Sequence, residues 1–487
     1  MTRGPVGRRR GLVAALLLVM FLAAMDSAVT AAAAPQIVAD LGGAKAFGWL
    51  LAAYVLAATV SVPLYGRLAD SHGRRPVLIG GTLLFLAGSA SCAAAWSMPS
   101  LVAFRFVQGL GAGAIQGTVQ TVAGDLYEPH ERGRIQAALA AVWSVAALAG
   151  PAVGGALAQY GQWRWIFLLN LPFGLTAVWL LARRFPPEEA RRGSRAASGP
   201  ADWRGALGLL LTCGALMTLL ARGGSARPWL SVRSGALLAV VVALALTTVR
   251  IERRAARPLL PGWVWKRREL AIPSLVLGLV GVVMAAPLLL LPAYAQAAQG
   301  LSPAAGAAVL AGMTFGWPTA AVFSSAVYLR IGFRATALAG AVTVTAALVA
   351  TVSLTLVGAP VVPFAAASTL LGIGFGLLQP ALLVGVQAAV AWEGRGAATA
   401  NLMFCREMGQ SLGAALFGAL FNAAGNQGIA AAAAADCAAV CGDRVASGLR
   451  YAYFAGAGCA VAMVLLLLAM ERSLPAVAWR QGQRATP

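Results

Sequence analysis

Residues 66–78 read Gly66-Arg67-Leu68-Ala69-Asp70-Ser71-His72-Gly73-Arg74-Arg75-Pro76-Val77-Leu78. The stretch is polar and basic, and it stands between two long apolar runs. It is too polar to lie in hydrocarbon and too short to form a soluble domain. Its neighbours decide what it is. Apolar runs recur from one end of the chain to the other, and a spanning helix needs about 20 such residues. Residues 66–78 are therefore a tight connection between two spanning helices, with their charges at the membrane surface.

Composition agrees. Of the 487 residues 60% are apolar and 11% charged, and the mean hydropathy is +0.77. A soluble domain carries roughly 25% charged residues. The net charge of +21 does not indicate nucleic acid, because the cations cluster between apolar runs, where they act as topology signals. Arginine supplies nearly all of them; Lys45 and Lys266 are the two lysines. That usage, with abundant Ala and Gly, is typical of a high-GC bacterial genome, so a bacterial cytoplasmic membrane is expected.

Fourteen spans are counted, centred near residues 22, 57, 86, 112, 147, 173, 212, 241, 281, 314, 346, 374, 410 and 461. Arg8, Arg9 and Arg10 before the first run imitate a signal peptide. That run is about 20 residues long, as a span needs, and it carries Asp26, so it is read as a helix that stays. Alternate connections hold most of the arginines, including Arg67, Arg74, Arg75, Arg183, Arg184, Arg253 and Arg254. The positive-inside rule puts those connections, and both termini, in the cytoplasm.

The chain also repeats itself. A shift of 259 sets Gly73 on Gly332, Arg75 on Arg334 and Gly81 on Gly340. A shift of 263 sets Gly109, Gly111 and Gly113 on Gly372, Gly374 and Gly376, and Gly150 and Gly155 on Gly413 and Gly418. Two six-helix halves related by a parallel repeat explain this. The fold expected is all-α and polytopic: residues 1–182 form the N-terminal half, 183–203 a cytoplasmic linker, 204–250 two additional helices, 251–269 a cytoplasmic loop, 270–471 the C-terminal half and 472–487 a tail. The repeat is unequal: Asp70 falls on Leu329, Arg105 on Ser368 and Pro151 on Ala414. The special residues survive mainly in the first half, which is therefore expected to hold the coupling and gating chemistry.

Charges inside spans cost roughly 2.5–3.5 kcal/mol each on insertion scales, so each is a functional candidate. Asp26, Arg105, Arg406 and Glu407 qualify. Asp26 lies ~24 Å into the first helix from the inside and Arg105 ~9 Å into the fourth from the outside, at 1.5 Å per residue. In a core of ~30 Å the two share a depth and are within reach of pairing or of a common water network. Asp125 falls at the end of its run and is read as interfacial. Arg406 and Glu407 are adjacent on one helix and point about 100° apart, so they need not pair with each other. Glu407 has three readings: a second proton site, a counter-charge for a cationic cargo, or a structural partner of Arg406 or of a residue of another helix.

The 66–78 loop resembles the connection between helices 2 and 3 of the major facilitator superfamily, G-x-L-A-D-x-x-G-R-[KR]-x-x-L, on Gly66, Asp70, Gly73, Arg74 and Arg75. Residues 25–35 resemble the helix 1 pattern of its fourteen-helix drug:proton antiporters, on Asp26, Ala33 and Pro35, with Ala28 and Ala31 in place of the usual Thr and Asn. Residues 105–113 resemble the family's R-x-x-Q-G-x-G-A, on Arg105, Gln108, Gly109 and Gly111; residues 147–155 resemble the antiporter motif of helix 5, on Gly150, Pro151, Gly154 and Gly155. The resemblance implies proton coupling through Asp26 and Arg105, with Glu407 added from its position, and gating by the 66–78 loop. It implies export of lipophilic or cationic small molecules, such as drugs or antibiotics, by alternating access. The alternatives are a carrier of the same fold for another metabolite or lipid-like solute, and a membrane receptor.

Gln108, Gln116, Gln120, Trp143, Trp317, Gln379 and Met403 are taken as substrate-cavity residues. The sequence shows no phosphate-binding loop, metal-ligand cluster or nucleophile–base arrangement, so neither an enzyme, a metal nor an organic cofactor is expected, and an ion gradient supplies the energy. The partners expected are protons, a small-molecule substrate and the lipid bilayer, with no nucleic acid; the chain is expected to act as a monomer. Cys437 and Cys441 lie in the last long outer loop, where the compartment permits a disulfide. The topology has a direct check. Single cysteines placed in the 425–450 loop should react with membrane-impermeant maleimide on intact cells, and those placed in 185–200 should not; equal labelling of both overturns the fourteen-span arrangement.

Overall fold

The computed structural model describes residues 6–42, 47–160, 162–185, 202–222, 231–255, 258–297, 299–301, 303–425 and 438–470. Cys437, Lys45, most of the 183–203 linker and the 472–487 tail lie outside the described residues, as does the side chain of Cys441.

The described residues form sixteen helices: α1 (Val6–Leu41), α2 (Phe47–His72), α3 (Arg74–Ala93), α4 (Met98–Leu126), α5 (Pro129–Gln159), α6 (Trp165–Leu168), α7 (Asn170–Arg184), α8 (Trp203–Arg222), α9 (Val232–Arg254), α10 (Gly262–Lys266), α11 (Arg268–Ala297), α12 (Pro303–Ile331), α13 (Phe333–Leu356), α14 (Val361–Ala389), α15 (Trp392–Gly425) and α16 (Ala438–Leu468). Among the described residues twelve helical spans, one of them α6 and α7 together, are long and apolar enough to cross a membrane. Those twelve fall short of the fourteen counted from sequence by α12 and α15, of 29 and 34 residues. α15 carries Glu393, Arg395, Arg406 and Glu407, which lower its hydropathy.

The packing is two-fold. In the first half α1 packs on α5 and α7, α2 on α4, and α3 on α4 and α7. In the second half α11 packs on α15 and α16, α12 on α14, and α13 on α14 and α16. Each half has its own apolar core, one around Leu16, Phe85 and Val119, the other around Val280, Phe375 and Leu383. The halves meet along α2 with α15 and α5 with α12, which are also equivalent pairs. The two additional helices stand outside this pattern: α8 leans on α2 and α15, and α9 on α8.

The repeat read from the sequence is visible in the backbone. Gly73 and Gly332 open α3 and α13 with φ of 93° and 92°, a region that a Cβ disfavours. The arginine two residues on has the same task in each half. Arg75 donates to the carbonyl of Ala182 at 2.6 Å, closing α3 onto α7; Arg334 donates to the carbonyl of Leu467 at 2.9 Å, closing α13 onto α16.

Close helix approach depends on glycine, as in other membrane bundles. A Cβ on Gly409 of α15 would collide with the Gly278 carbonyl of α11, and one on Gly281 with the Arg406 carbonyl. A Cβ on Gly80 of α3 would meet nothing within 4 Å. Overpacking of this kind costs about 1–3 kcal/mol. Gly409→Ala should therefore lower the melting temperature of the purified protein, whereas Gly80→Ala should leave it unchanged.

Candidate functional site

Two clusters of buried charge organise the molecule. The first lies inside the N-terminal half. Asp26 on α1 and Arg105 on α4 are 2% and 0% exposed and form a direct ion pair through Asp26 Oδ2. The other carboxylate oxygen, Oδ1, accepts hydrogen bonds from Gln108 Nε2 at 2.8 Å and Asn170 Nδ2 at 3.0 Å. Gln108 returns its own oxygen to Arg105 at 2.9 Å, and Asn170 also donates to Ser89 Oγ at 2.9 Å. The guanidinium lies 4.1 Å over the Tyr54 ring, a cation–π contact that suits a desolvated charge. Tyr54 in turn donates to the Ala23 carbonyl of α1 at 3.3 Å. Groups from α4 and α7 thus converge on one carboxylate of α1, which is fully satisfied by an arginine and two amides.

The pairing expected from depth is present. Gln108 was expected to line a substrate cavity; the structure instead places it inside this network, 0% exposed, because its spacing of three residues from Arg105 puts it on the same helical face. Asn170 and Ser89 are members that the sequence reading missed. Asn170 stands in a Leu169-Asn170-Leu171-Pro172 segment at the α6–α7 junction, and a polar residue inside an apolar run was the available signal.

The second cluster joins the halves. Asp70, at the end of α2, accepts hydrogen bonds from the backbone N–H groups of Gly396 at 3.0 Å and Ala397 at 2.8 Å, in the first turns of α15. Arg74 pairs with Asp70 at 2.8 Å and with Asp125 at 3.0 Å, donates to the Trp392 carbonyl at 3.2 Å and stacks 4.1 Å over the Trp392 ring. Arg395 of the other half reaches Asp125 at 2.7 Å. Asp125, expected at the interface with water, is a buried bridge whose side chain is 5% exposed, because cations from both halves meet on it. Gly66 allows the approach: a Cβ there would collide with Ala400 and crowd the Gly396 carbonyl. Arg75 does not enter this cluster; its partner is Ala182 in the same half.

The equivalent α5–α12 contact has no ion pair among the described residues, although the buried Arg132 lies beside Tyr328. Gly133 faces Ser325, and Tyr328 donates to the Pro129 carbonyl. Gln387 of α14 donates to the Gln120 carbonyl at 3.1 Å. Among the described residues, the hydrogen bonds between halves lie at this end, except Ser144 to the Thr314 carbonyl near mid-height. The halves are therefore shut at the Asp70 end.

The remaining expectations divide. Arg406 and Glu407 pair with each other, one of the readings that their sequence left open, because two long side chains can bend back to meet where the medium offers few other partners. Gly150 and Gly154 pack against Ala28, Val29 and Ala32 of α1, whereas Gly155 faces open space and takes no part in the contact; Pro151 contributes no described side chain. Met403 is 2% exposed and packs within the C-terminal core. Gln120 is bound by Gln136 at 2.8 Å. Trp317 stacks on Phe375 at 5.5 Å, Gln116 is half-buried, Trp143 is 37% exposed, and Gln379 is 6% exposed. Among the described residues no group of three or more His, Cys, Asp or Glu is placed to hold a metal ion.

The chain belongs to the Major Facilitator Superfamily, whose family model matches residues 16–414. It is similar to the multidrug transporter protein MdtP of Bacillus subtilis, 29% identical over 412 residues, which are 84% of this chain and 75% of that protein. It is also similar to multidrug resistance protein 3 of the same organism, 30% identical over 322 residues, 66% of this chain and 62% of that protein, so this match spans less than two thirds of the relative. Among solved structures, the human organic anion transporter MFSD10 has a TM-score of 0.66 at 16% identity, covering 95% of this chain and all of that one. The proton:xylose symporter XylE has a TM-score of 0.65 at 15% identity, covering 94% and 95%. These two share the fold. The chain is thus a multi-pass membrane transporter of this superfamily.

Asp70 is the strand of the closed end most easily cut. A hydrogen bond to a charged group contributes about 1.5–3 kcal/mol, and 1.4 kcal/mol changes a population tenfold. With spin labels on His72 and Glu393, both exposed and on opposite halves, Asp70→Asn should add a longer-distance population in double electron–electron resonance. An unchanged distance distribution would make the loop a topology signal alone.

Proposed function

We propose that this chain is a proton-coupled antiporter that exports lipophilic or cationic small molecules by alternating access, from a bacterial cytoplasmic membrane, with both termini in the cytoplasm. The observation that carries the coupling reading is the Asp26 carboxylate. It is buried between α1, α4 and α7, where insertion of a charge is costly, and its partners are an arginine and two amides. A carboxylate in that setting exchanges one neutralising partner for another: Arg105, or a proton. Multidrug transporters among the relatives support the direction of transport and the kind of cargo.

In this reading α12 and α15 also cross the membrane. They pair with helices of spanning length as α2 and α5 do in the other half, which makes fourteen spans with α8 and α9 as the additional two. The Asp70 end is cytoplasmic, so the structure corresponds to a state closed to the cytoplasm. Asp70, Arg74, Asp125 and Arg395 hold that state, because their contacts cross between halves and must part when the cytoplasmic side opens. Asp26 and Arg105 lie within one half and persist through rigid rocking, until a shift of α1 against α4 or α7 removes a donor and a proton takes its place. Glu407, paired with Arg406 on α15, is a second acid at which a proton can replace a guanidinium.

Everted membrane vesicles test the reading. Imposing an inside-acid gradient should drive uptake of an exported dye into vesicles carrying the wild-type chain. Asp26→Asn should reduce that uptake to the level of vesicles without the protein while expression stays normal. Gradient-driven uptake by Asp26→Asn at the wild-type rate removes Asp26 from the coupling.

A further inference from the structure

The closed end contains a buried cation with no acid of its own. Arg132 stands in the first turn of α5 and is 6% exposed. Its Nε donates to the Tyr127 carbonyl at 2.8 Å and its Nη2 to the Gly124 carbonyl, so the guanidinium is anchored on backbone either side of Asp125. Its Nη1 is buried with no hydrogen-bond partner. Asp125, Arg395 and Tyr328 lie within electrostatic reach of it. Arg105 and Arg406 also carry one idle nitrogen each, but each of them is already paired with a carboxylate. Arg132 forms no ion pair among the described residues, and a charged donor left unmade in the interior is costly.

The acid beside it is occupied. Asp125 Oδ1 accepts from Arg395 Nη1 at 2.7 Å, and Oδ2 accepts from Arg74 Nε at 3.0 Å. These two cations belong to different halves: Arg74 opens α3, in the half of Asp125, and Arg395 is on α15, in the other. Parting the halves at this end takes Arg395 from Oδ1. It also takes the Gly396 and Ala397 N–H groups from Asp70. Arg74 is then left to bridge two carboxylates, Asp70 and Asp125. Arg132 stays with Asp125, because both of its carbonyl anchors lie in the α4–α5 connection of the same half. An Nη1 without an acceptor and an Oδ1 that has lost its donor then belong to one turn of chain.

We infer that Arg132 is the exchange partner of Arg395: when the closed end parts, Asp125 passes from Arg395 to Arg132, and this capture stabilises the open state. The inference rests on the alternating-access reading above and deepens it. In the closed state the carboxylate holds a cation of the opposite half and Arg132 Nη1 goes without. In the open state the carboxylate takes a second cation of its own half, so it is not left to Arg74 alone, and breaking an ion pair without replacement is what makes separation expensive. The exchange fixes a sign. Loss of Arg395 weakens the closed state, whereas loss of Arg132 weakens the open one.

Double electron–electron resonance between spin labels on His72 and Glu393 reads the opening, with the purified full chain in lipid nanodiscs. Gly66→Ala supplies the open population without touching a charge, because its Cβ collides with Ala400 across the closed end and parting the halves removes the collision. In that background Arg132→Gln should lower the ratio of the long-distance to the short-distance component about two- to fivefold, the range of an ion pair that water reaches. The same substitution should lose most of its effect once Asp125→Asn is also present. A ratio that rises or stays level with Arg132→Gln overturns the exchange, since Arg132 then serves the closed end or neither state. An equal fall with and without Asp125 overturns it too, because relief of repulsion from Arg395 then accounts for the change. Arg132→Met, an apolar side chain of similar length, gives the same comparison if the glutamine variant does not fold. If Gly66→Ala produces no long-distance component, the alternating-access reading fails and the exchange with it; the other two failures leave that reading standing.

Discussion

A carboxylate taken out of water must bring its own counter-charge. Desolvating an ion costs several kcal/mol after relaxation, and only close pairing with further hydrogen bonds repays it. That constraint explains where Arg105 and Arg74 stand. Arg105 is held on Asp26 by Gln108 and stacked on Tyr54; Arg74 is held between Asp70 and Asp125 and stacked on Trp392. The two clusters obey the same rule and differ in one respect. The first is contained in one half, so rigid movement of the halves leaves it intact. The second spans both halves, so in the alternating-access reading proposed above opening breaks it and exposes its charges to water at the same moment. Water on the opened side lowers the cost of that separation, which is why a latch of charges can be reversible at a membrane surface.

The two-fold arrangement makes the difference between halves interpretable. Gly73 and Gly332, and Arg75 and Arg334, do equivalent structural work: a left-handed turn and a clamp onto the last helix of the half. Those tasks are needed twice. Asp70 and Arg74 correspond to Leu329 and Phe333 under the same shift, so the charged latch occurs once. On the α5–α12 side its place is taken by Gly133 against Ser325, and by Tyr328, which stacks 4.8 Å from Phe333 and donates to Pro129. Gly66 against Gly396 and Ser325 against Gly133 are the same pair in the two registers. One side of the closed end is held by ion pairs and the other by close packing and a neutral hydrogen bond.

Much of this was legible in the chain itself. Long apolar runs with arginines between them establish a helical membrane bundle, because hydrocarbon leaves the backbone no other partner than itself. The two offsets establish its two halves. The rarity of charge within spans singles out Asp26, Arg105, Arg406 and Glu407 without any structure, since each would be lost if it served no purpose. The motif in residues 66–78 marks the end at which the halves close.

What the tertiary structure decided is which groups meet. Periodicity places a residue on a face, but the partner of that face belongs to another helix tens or hundreds of residues away. Asn170 and Ser89 join Asp26 through packing of α7 and α3, Asp125 becomes a bridge because Arg395 arrives from the opposite half, and Gln108 and Met403 are taken up by a network and a core. Arg406 and Glu407 pair because side-chain length outweighs the angle between adjacent positions. The sequence by itself determined the membrane fold, its repeat and the residues too costly to be incidental; only the assembled bundle decided their partners, because burial and contact are properties of neighbouring helices and not of any one segment.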